Sequence, residues 1–566
     1  MRLGRPLIGL AVVVPLVLGA LWWRATWVAN HLLHVDAPKS IAEKSGGVYV
    51  LAVGHVRFNG LRRRIVVDSI ELTTNAAVNA RRAQPRTSLH LSLHQCVIGG
   101  LHFFTLIAGR GLIAQSFGCS AVRGDADVPP GHGEPDTAAV PATPRQAFFA
   151  LQKGLRLPKF APRIAVERID FPQAKLEVRL RWAQRETTRL ELDHLEWHMT
   201  DFTVDPADSA ATGRPLFSRT VDIRAADFLA RPDSNTTVRV AGFAASLPDS
   251  AFEIRGIAYA PAMSDSAFAR AGPYGRSLLK TGIGRVAVRG FDVGAFVLGA
   301  GVRARRVQVD SLHIDLLSDK RRPDDPRPSV HRTPQRWIAD IDQSVSVDSV
   351  VIRGGEVVYR EQRPRHAKPG VLTFARLQAV ATNVRHVASR RRGREVAGTP
   401  MTLRATAFLQ DAGRFDTHFT VPLDAPSFDM TFGGTLGPMP ATSLNPLIDG
   451  ILAVRLEKGA VLGIDFDATV ASGAAQGSIV PRYKDLSIAV TGHGSKGILG
   501  TGGVVGEAAR GVASLVGNLT EIRGDNPDAG ATPRRGPIDH TFSPDETLPG
   551  FLWVSLRGGL MAVVRK

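Results

Sequence analysis

Cysteine is almost missing from this chain: its 566 residues include two, Cys96 and Cys119. Two cysteines with no local histidine cluster cannot supply the ligands of a structural zinc site, so that class is excluded. Two readings of the pair stay open: a disulfide, if the compartment is oxidising, or two independent small core residues. Helical patterns are also few, and no G-x-S-x-G nucleophile elbow occurs. The carboxylates are scattered, so no pair stands out as general acid and base. No catalytic residue, metal ligand or cofactor is therefore nominated.

Two short patterns come close to known sites and fail on context. Gly492-His493-Gly494-Ser495-Lys496-Gly497 fits G-x-G-x-x-G. A dinucleotide site needs that turn inside a parallel βαβ unit with an acidic residue closing the next strand. The chain otherwise reads as antiparallel, and Glu521 follows with no clear strand, so a glycine-rich connection is the better reading. His194 and His198 have i, i+4 spacing, but they fall on an alternating strand. There they share a face ~14 Å apart at ~3.4 Å per residue, too far for one metal ion.

What is present begins with charge and length. The chain is 44% hydrophobic and 22% charged, with a net charge of +18. This composition suits a folded protein, and the length calls for two to four lobes. The positive balance, mostly arginine, admits nucleic acid or anionic lipid as partner, or an arginine-rich proteome with neither.

The N-terminus narrows that choice. Arg2 and Arg5 precede an uncharged run from Pro6 to Trp23, closed by Arg24. About 18 residues is the lower end of what a spanning helix needs. Leu7, Val14 and Leu18 give it apolar bulk, and Trp22, Trp23 and Trp27 cluster where an interfacial belt would sit. Positive charge on the short side places that side in the cytoplasm. A cleaved signal peptide is the rival, but Gly19-Ala20 is a poor cleavage site with bulky tryptophans after it. The expectation is a retained inner-membrane anchor with the bulk of the chain in the periplasm. Nucleic acid is then excluded as a partner. The run Arg390-Arg391-Arg392-Gly393-Arg394 becomes a solvated loop, with acidic lipid headgroups as its alternative contact.

One short phrase recurs. "VDSI" at Val67–Ile70 returns as "VDSL" at Val309–Leu312 and "VDSV" at Val347–Val350, with looser forms "VERI" at Val166–Ile169 and "LDHL" at Leu192–Leu195. Each copy interrupts an apolar alternation of period two and shifts its phase. Val307 and Val309 precede one copy, and Leu312, Ile314 and Leu316 follow it. Ile164 and Val166 give way to Ile169 and Phe171. Such a shift needs an extra residue in the strand, so the phrase reads as a repeated corner. The copies are irregularly spaced, which excludes a fixed-period solenoid. Gly354-Gly355 reads as a two-residue hairpin turn after the third copy.

Helices are expected after Thr143-Pro144, after Thr333-Pro334, over Gly506 to Leu519 and over Phe551 to Val564. The last carries Phe551, Trp553, Leu556 and Leu560, and has two readings: a helix on a membrane surface or an end cap packed on the sheet. Pro/Gly-rich stretches at Asp125–Pro144 and Ser318–Pro334 read as linkers, and Arg523–Pro537 as a long loop. The expected order is an anchor over 1–30, a β-rich lobe over 31–127, a linker over 128–144, and a second lobe over 145–320. A linker over 321–336 and a C-terminal β-rich module over 337–566 complete it.

Three segments carry a family resemblance: "VSVDSVVIRGGEVVYRE" (Val345–Glu361), "LNPLI" (Leu444–Ile448) and "VRLEKGAVLGIDFDATVASGAAQGSIVPRYKDLSIAV" (Val454–Val490), closed by "FLWVSLRGGL" (Phe551–Leu560). With the anchor, these resemble the AsmA-like superfamily of bacterial envelope proteins, of the TamB and YhdP type. The resemblance covers the anchor and roughly residues 340–566. This chain is far shorter than the largest members, and its loops are richer in proline and arginine. The resemblance implies a mainly β fold, with an N-terminal transmembrane helix followed by a long curved, mostly antiparallel β-sheet groove and a few short capping helices. It also implies a role in outer-membrane homeostasis, with phospholipid carried along a hydrophobic groove and envelope proteins as further partners. No catalytic residues and no cofactors come with it. The alternative is a non-catalytic scaffold whose concave face is filled by its own side chains.

Overall fold

In the computed structural model of the chain, the described residues are Trp27 and 30–565, apart from short gaps and the longer stretches 129–161, 293–300, 323–332, 387–398 and 491–521. Several expectations lie outside the described residues. They are the anchor positions Leu7, Val14, Leu18, Trp22 and Trp23, the arginine run 390–394, the glycine-rich 492–497 segment, and the helices after Thr143 and over Gly506 to Leu519. Among the described residues, no helix is long and apolar enough to cross a membrane.

The fold is mainly β, with 21 strands in a mixed sheet. Two compact units divide between Arg255 and Gly256, and not at the two Pro/Gly-rich linkers. In unit 1, among the described elements, a π-helical turn (Leu32–Asp36) leads into helix α1 (Ala37–Ser45). Its strands are β1 (Tyr49–Val53), β2 (Val56–Asn59), β3 (Arg64–Thr74), β4 (Ser88–Gly99), β5 (Leu112–Val128), β6 (Ile164–Leu180), β7 (Thr188–Val204), β8 (Thr220–Asp233) and β9 (Thr236–Ser246). Short helices α2 (Ala76–Ala80) and α3 (Phe103–Ile107) sit between strands. β10 (Ala251–Pro261) straddles the division.

Unit 2 continues with β11 (Ser277–Arg289), β12 (Val302–Asp319), β13 (Val345–Gln362), β14 (Gly370–His386), β15 (Met401–Leu409), β16 (Gly413–Val421), β17 (Met430–Leu436), β18 (Met439–Pro440), β19 (Val454–Ala471), β20 (Ala474–Val490) and β21 (Gly536–Thr541). Its helices are α4 (Pro334–Ala339), α5 (Asn445–Ile451) and α6 (Leu548–Val564). α4 is the helix expected after Thr333-Pro334. α6 starts on a Thr547 hydroxyl that accepts from the Gly550 N–H, which satisfies one of the free donors at a helix start.

Among the pairings described, most are antiparallel and two are parallel: β5 with β6, and β12 with β13. Parallel neighbours need a crossover of a dozen or more residues. The segments joining these pairs are the ones read as linkers. The strands that flank each segment are parallel neighbours in one sheet.

The recurrent phrase is a corner in every copy. Between the pairs Val67↔Cys96 and Ser69↔His94, the facing residues Asp68 and Gln95 drop out of the ladder, which then resumes in the same register. Glu167 and Asp201 do the same on β6 and β7, Asp193 and Asp227 on β7 and β8, and Asp348 and Asn383 on β13 and β14. In each case the second residue has a positive φ: 47° at Gln95, 50° at Asp201, 53° at Asp227 and 58° at Asn383. At the remaining copy, Ser311 has the positive φ of 56° and faces Gly284. Asn and Asp tolerate this left-handed region better than other non-glycine residues. Each strand of a pair thus carries the extra residue at the same level, so the register survives.

The corners keep apolar side chains on one face despite the phase shift. Ile65 and Val67 before the first corner share a cluster with Ile70 after it, as do Cys96 and Leu93 on the next strand. Cys96 and Cys119 face each other on β4 and β5, are bonded to each other, and are almost fully buried in that cluster.

Gly354-Gly355 is not a hairpin turn. β13 runs straight through it to Gln362, because β12 on one side and β14 on the other both pair beyond it. Gly354, at φ 65°, marks a break in register with β14. The two glycines relieve a bulge instead of reversing the chain.

Two stability outcomes are expected. Asn383→Val should cost about 1–2 kcal/mol in urea denaturation, since a β-branched residue is strained at that φ, while Asn383→Gly should cost much less. Replacing Cys96 and Cys119 together by alanine should cost roughly 3 kcal/mol, the loop-closure value for a bridge of this span, read from the denaturation midpoint of unit 1.

Candidate functional site

The candidate site is the apolar face of unit 1. It follows from alternation: one set of side chains on each strand is mostly apolar, and the other carries most of the charged and polar groups together with small residues. The cluster built on Val56, Ile65, Val67, Cys96 and Cys119 includes Phe117, Phe171 and Val122 at its edge. Phe117 and Phe171 also pack in the next cluster, around Val166, Ile169, Met199 and Val221. Val122 packs in a third, around Ala174, Leu195 and Ala225, and Ile223 joins the second to the third. Shared side chains therefore connect one apolar stripe from β2 to β9. Phe117 and Phe171 meet edge to face at 5.7 Å, a favoured aromatic geometry.

The stripe is sealed at its first strands, and further on no described element beyond a short turn covers it. Near β2 it is capped by Leu101, Phe103 and Leu106 from the segment around α3, with Phe103 edge-on to Phe58 at 4.8 Å. Along β6 to β9, the described elements packed against the strands are their ladder neighbours and the turn at Pro215–Phe217. Phe171, Leu176, Leu192, Trp197, Ile223 and Phe243 accordingly remain half-buried. The indole Nε1 of Trp197 is buried without a hydrogen-bond partner.

The C-terminal part of unit 2 is built the other way, as a closed core. Phe428, Met430, Phe432, Phe466, Ile479 and Ile538 are buried beneath α6, whose Phe551 is fully buried. Phe428 and Phe542 stand edge to face with Phe551, at 5.3 and 5.6 Å. This decides between the two readings of α6. Phe551 lies in the core, while Leu556 and Leu560 pack at its margin, so the helix is an end cap. A membrane-surface face formed by all four residues is ruled out, because burying Phe551 is worth about 1.5–3 kcal/mol that re-exposure would forfeit. Trp553 alone is substantially exposed, at 49%. Gly559 permits the contact: a Cβ there would lie 2.5 Å from Ile479 Cγ2 and 2.7 Å from the Pro537 carbonyl oxygen.

The charged groups are arranged as ion pairs along and across strands. Lys175 Nζ is 2.6 Å from Asp193, the corner acid of β7. That hydrogen bond holds the Asp193 carboxyl below its ordinary range and the Lys175 ammonium above its own. Hydrogen bonds from Arg414 and then Thr406 lower Asp416 likewise. These shifts move away from neutral pH, the opposite of what a general acid or base needs. His198 Nδ1 lies 2.8 Å from Asp170, and His194 Nδ1 lies 4.0 Å from Asp227. The two histidines thus engage different carboxylates. Among the described residues, no group of three or more His, Cys, Asp or Glu is placed to hold a metal ion.

Sequence reasoning reached the apolar alternation but not what faces it. Arg57, Arg64, Arg168 and Asp170 are brought together across five strands, β2 to β6, on the opposite side of the sheet. Each stands in an ordinary alternating strand, and only the pairing register reveals them as neighbours. No known protein family matches the chain, and no curated protein is significantly similar to it.

Gly559→Leu is expected to lift α6 from β20 and β21. Partial proteolysis should then cut between Arg523 and Leu548 much faster than in the parent chain, and binding of a dye for exposed apolar surface should rise.

Proposed function

We propose that the chain is a non-catalytic, membrane-anchored periplasmic protein that seats acyl chains of phospholipid on the open apolar face of unit 1. The single observation carrying this reading is the continuous stripe from β2 to β9, in which Phe171, Leu176, Leu192, Ile223 and Phe243 stay half-buried beside the buried Val166, Ile169, Leu195 and Val221. Among the described residues this face has no covering layer, and exposed apolar patches of this kind mark interaction sites. An acyl chain laid along it gains about 0.8 kcal/mol per methylene withdrawn from water. The corners favour this use, because they keep the stripe on one face while the strands bend.

Anchoring rests on the uncharged run ending in Trp22 and Trp23, and the periplasmic side on the arginines before it. The AsmA-like resemblance points the same way and adds outer-membrane homeostasis as the process served. A scaffold that assembles envelope proteins is the second reading. It is favoured by the closed core under α6, where the sheet face is filled by the chain's own Phe551 and its neighbours.

Native mass spectrometry in mild detergent, followed by lipid extraction, tests the proposal. The full chain should carry phospholipid, and Ile223→Asp with Phe243→Asp should lose most of it without loss of strand content by circular dichroism. A lipid-free parent chain, or equal lipid in both proteins, would favour the scaffold.

A further inference from the structure

The side of unit 1 opposite the apolar stripe carries a cleft of about 910 Å³. Two adjacent cross-strand rows make it. One runs Arg57, Val66, Val97, Gly118, Asp170, and the other Asn59, Arg64, Gly99, Ser116, Arg168. The first row ends in Arg57 and Asp170 and the second in Asn59 and Arg168, with Arg64 next to Asn59. The residues between, Val66, Val97, Gly118, Gly99 and Ser116, are uncharged and small or short, and form the floor. At Gly118 the floor must be bare, since a Cβ would lie 2.7 Å from the Asp170 carbonyl oxygen. Arg62, from the turn before β3, completes the wall.

Four guanidinium groups thus surround a floor on which Asp170 is the one carboxylate. Asp170 is already engaged, by Arg168 at 3.1 Å and His198 at 2.8 Å. Arg57 pairs outward with the corner acid Asp68 at 2.7 Å. Arg62 and Arg64 have no acidic partner among the described residues, and the Nε of Arg64 is buried without any hydrogen-bond partner. A buried donor left unmatched is costly and marks a missing acceptor. Forked guanidinium groups on opposite walls suit a tetrahedral, multiply charged oxyanion, which accepts from several directions at once.

We propose that this cleft binds a phosphate group, held between Arg64 and Arg168 with Arg62 closing over it. The inference does not rest on the acyl-chain reading, since the cleft lies on the other side of the sheet. The phosphate could belong to a phospholipid headgroup or be free in solution, and two arms separate these sources.

The full chain is titrated calorimetrically with inorganic phosphate, and separately sedimented with phosphatidylcholine vesicles containing phosphatidylglycerol. Three proteins are compared: the parent, Arg64→Gln/Arg168→Gln, and a charge-matched control, Arg303→Gln/Arg306→Gln, on exposed β12 positions. Arg62→Gln/Arg168→Gln replaces the first variant if Arg64→Gln unfolds. Saturable phosphate binding that weakens at least about tenfold in the cleft variant and not in the control supports the site, as expected for loss of charge-assisted hydrogen bonds. A parallel loss of vesicle binding, specific to the cleft variant, assigns the phosphate to a headgroup, and unchanged vesicle binding assigns it to a free ligand. No saturable phosphate binding by the parent, or equal weakening in cleft and control variants, overturns the proposal. Lipid retention by the Ile223→Asp/Phe243→Asp protein is read separately, so failure of one site is not mistaken for failure of the other.

Discussion

The structure depends on a matching rule between neighbouring strands. A strand with one extra residue flips every later side chain to the other face. A neighbour without that residue would then pair out of register or place its apolar set on the wrong side. The chain avoids both outcomes by putting the extra residue in both strands at the same level. Asp68 faces Gln95, Glu167 faces Asp201, Asp193 faces Asp227, and Asp348 faces Asn383. One member of each pair takes a left-handed backbone conformation, and Asp or Asn at three of the four, Asp201, Asp227 and Asn383, limits its cost. The recurring "VDS" phrase is the written trace of that rule.

From this rule follow two faces of different character in unit 1. Residues on either side of a corner stay in one apolar cluster, so the stripe passes from β2 to β9 without a break. On the opposite side of β2 to β6, Arg57, Arg64, Arg168 and Asp170 collect around valines, serines and glycines. Both surfaces are products of register rather than of local sequence. The closed core under α6 shows the other solution to an apolar sheet face, where the chain supplies the cover itself through Phe551, Leu552 and Leu556.

Much of this was legible in advance where the signal was local. Phase shifts at Val166–Ile169 and Leu192–Leu195 located the corners, and the apolar run from Phe551 to Val564 located α6 except for its first turn, which begins at Leu548. The choice between end cap and membrane-surface helix turned on Phe551, whose burial depends on Phe428 and Phe542 from distant parts of the chain. Gly354-Gly355 misled because a tight turn and a bulge ask for the same residues, and only the strands on both sides of β13 distinguish them. The parallel pairs were hidden for a similar reason: proline and glycine mark a crossover and a domain linker alike. The arginine cleft was invisible, since its members are 111 positions apart at the extremes, Arg57 to Arg168, and meet only across strands.

The most direct measurement of the central claim places a photo-crosslinking side chain on each face of β8 and β9 in cells labelled with radioactive phosphate. Crosslinkers at Ile223 and Phe243 should capture phosphate-labelled lipid, and one at Arg224, pointing to the opposite face, should capture little or none. Equal labelling from both faces, or none from Ile223 and Phe243, would contradict the claim that the apolar stripe seats acyl chains.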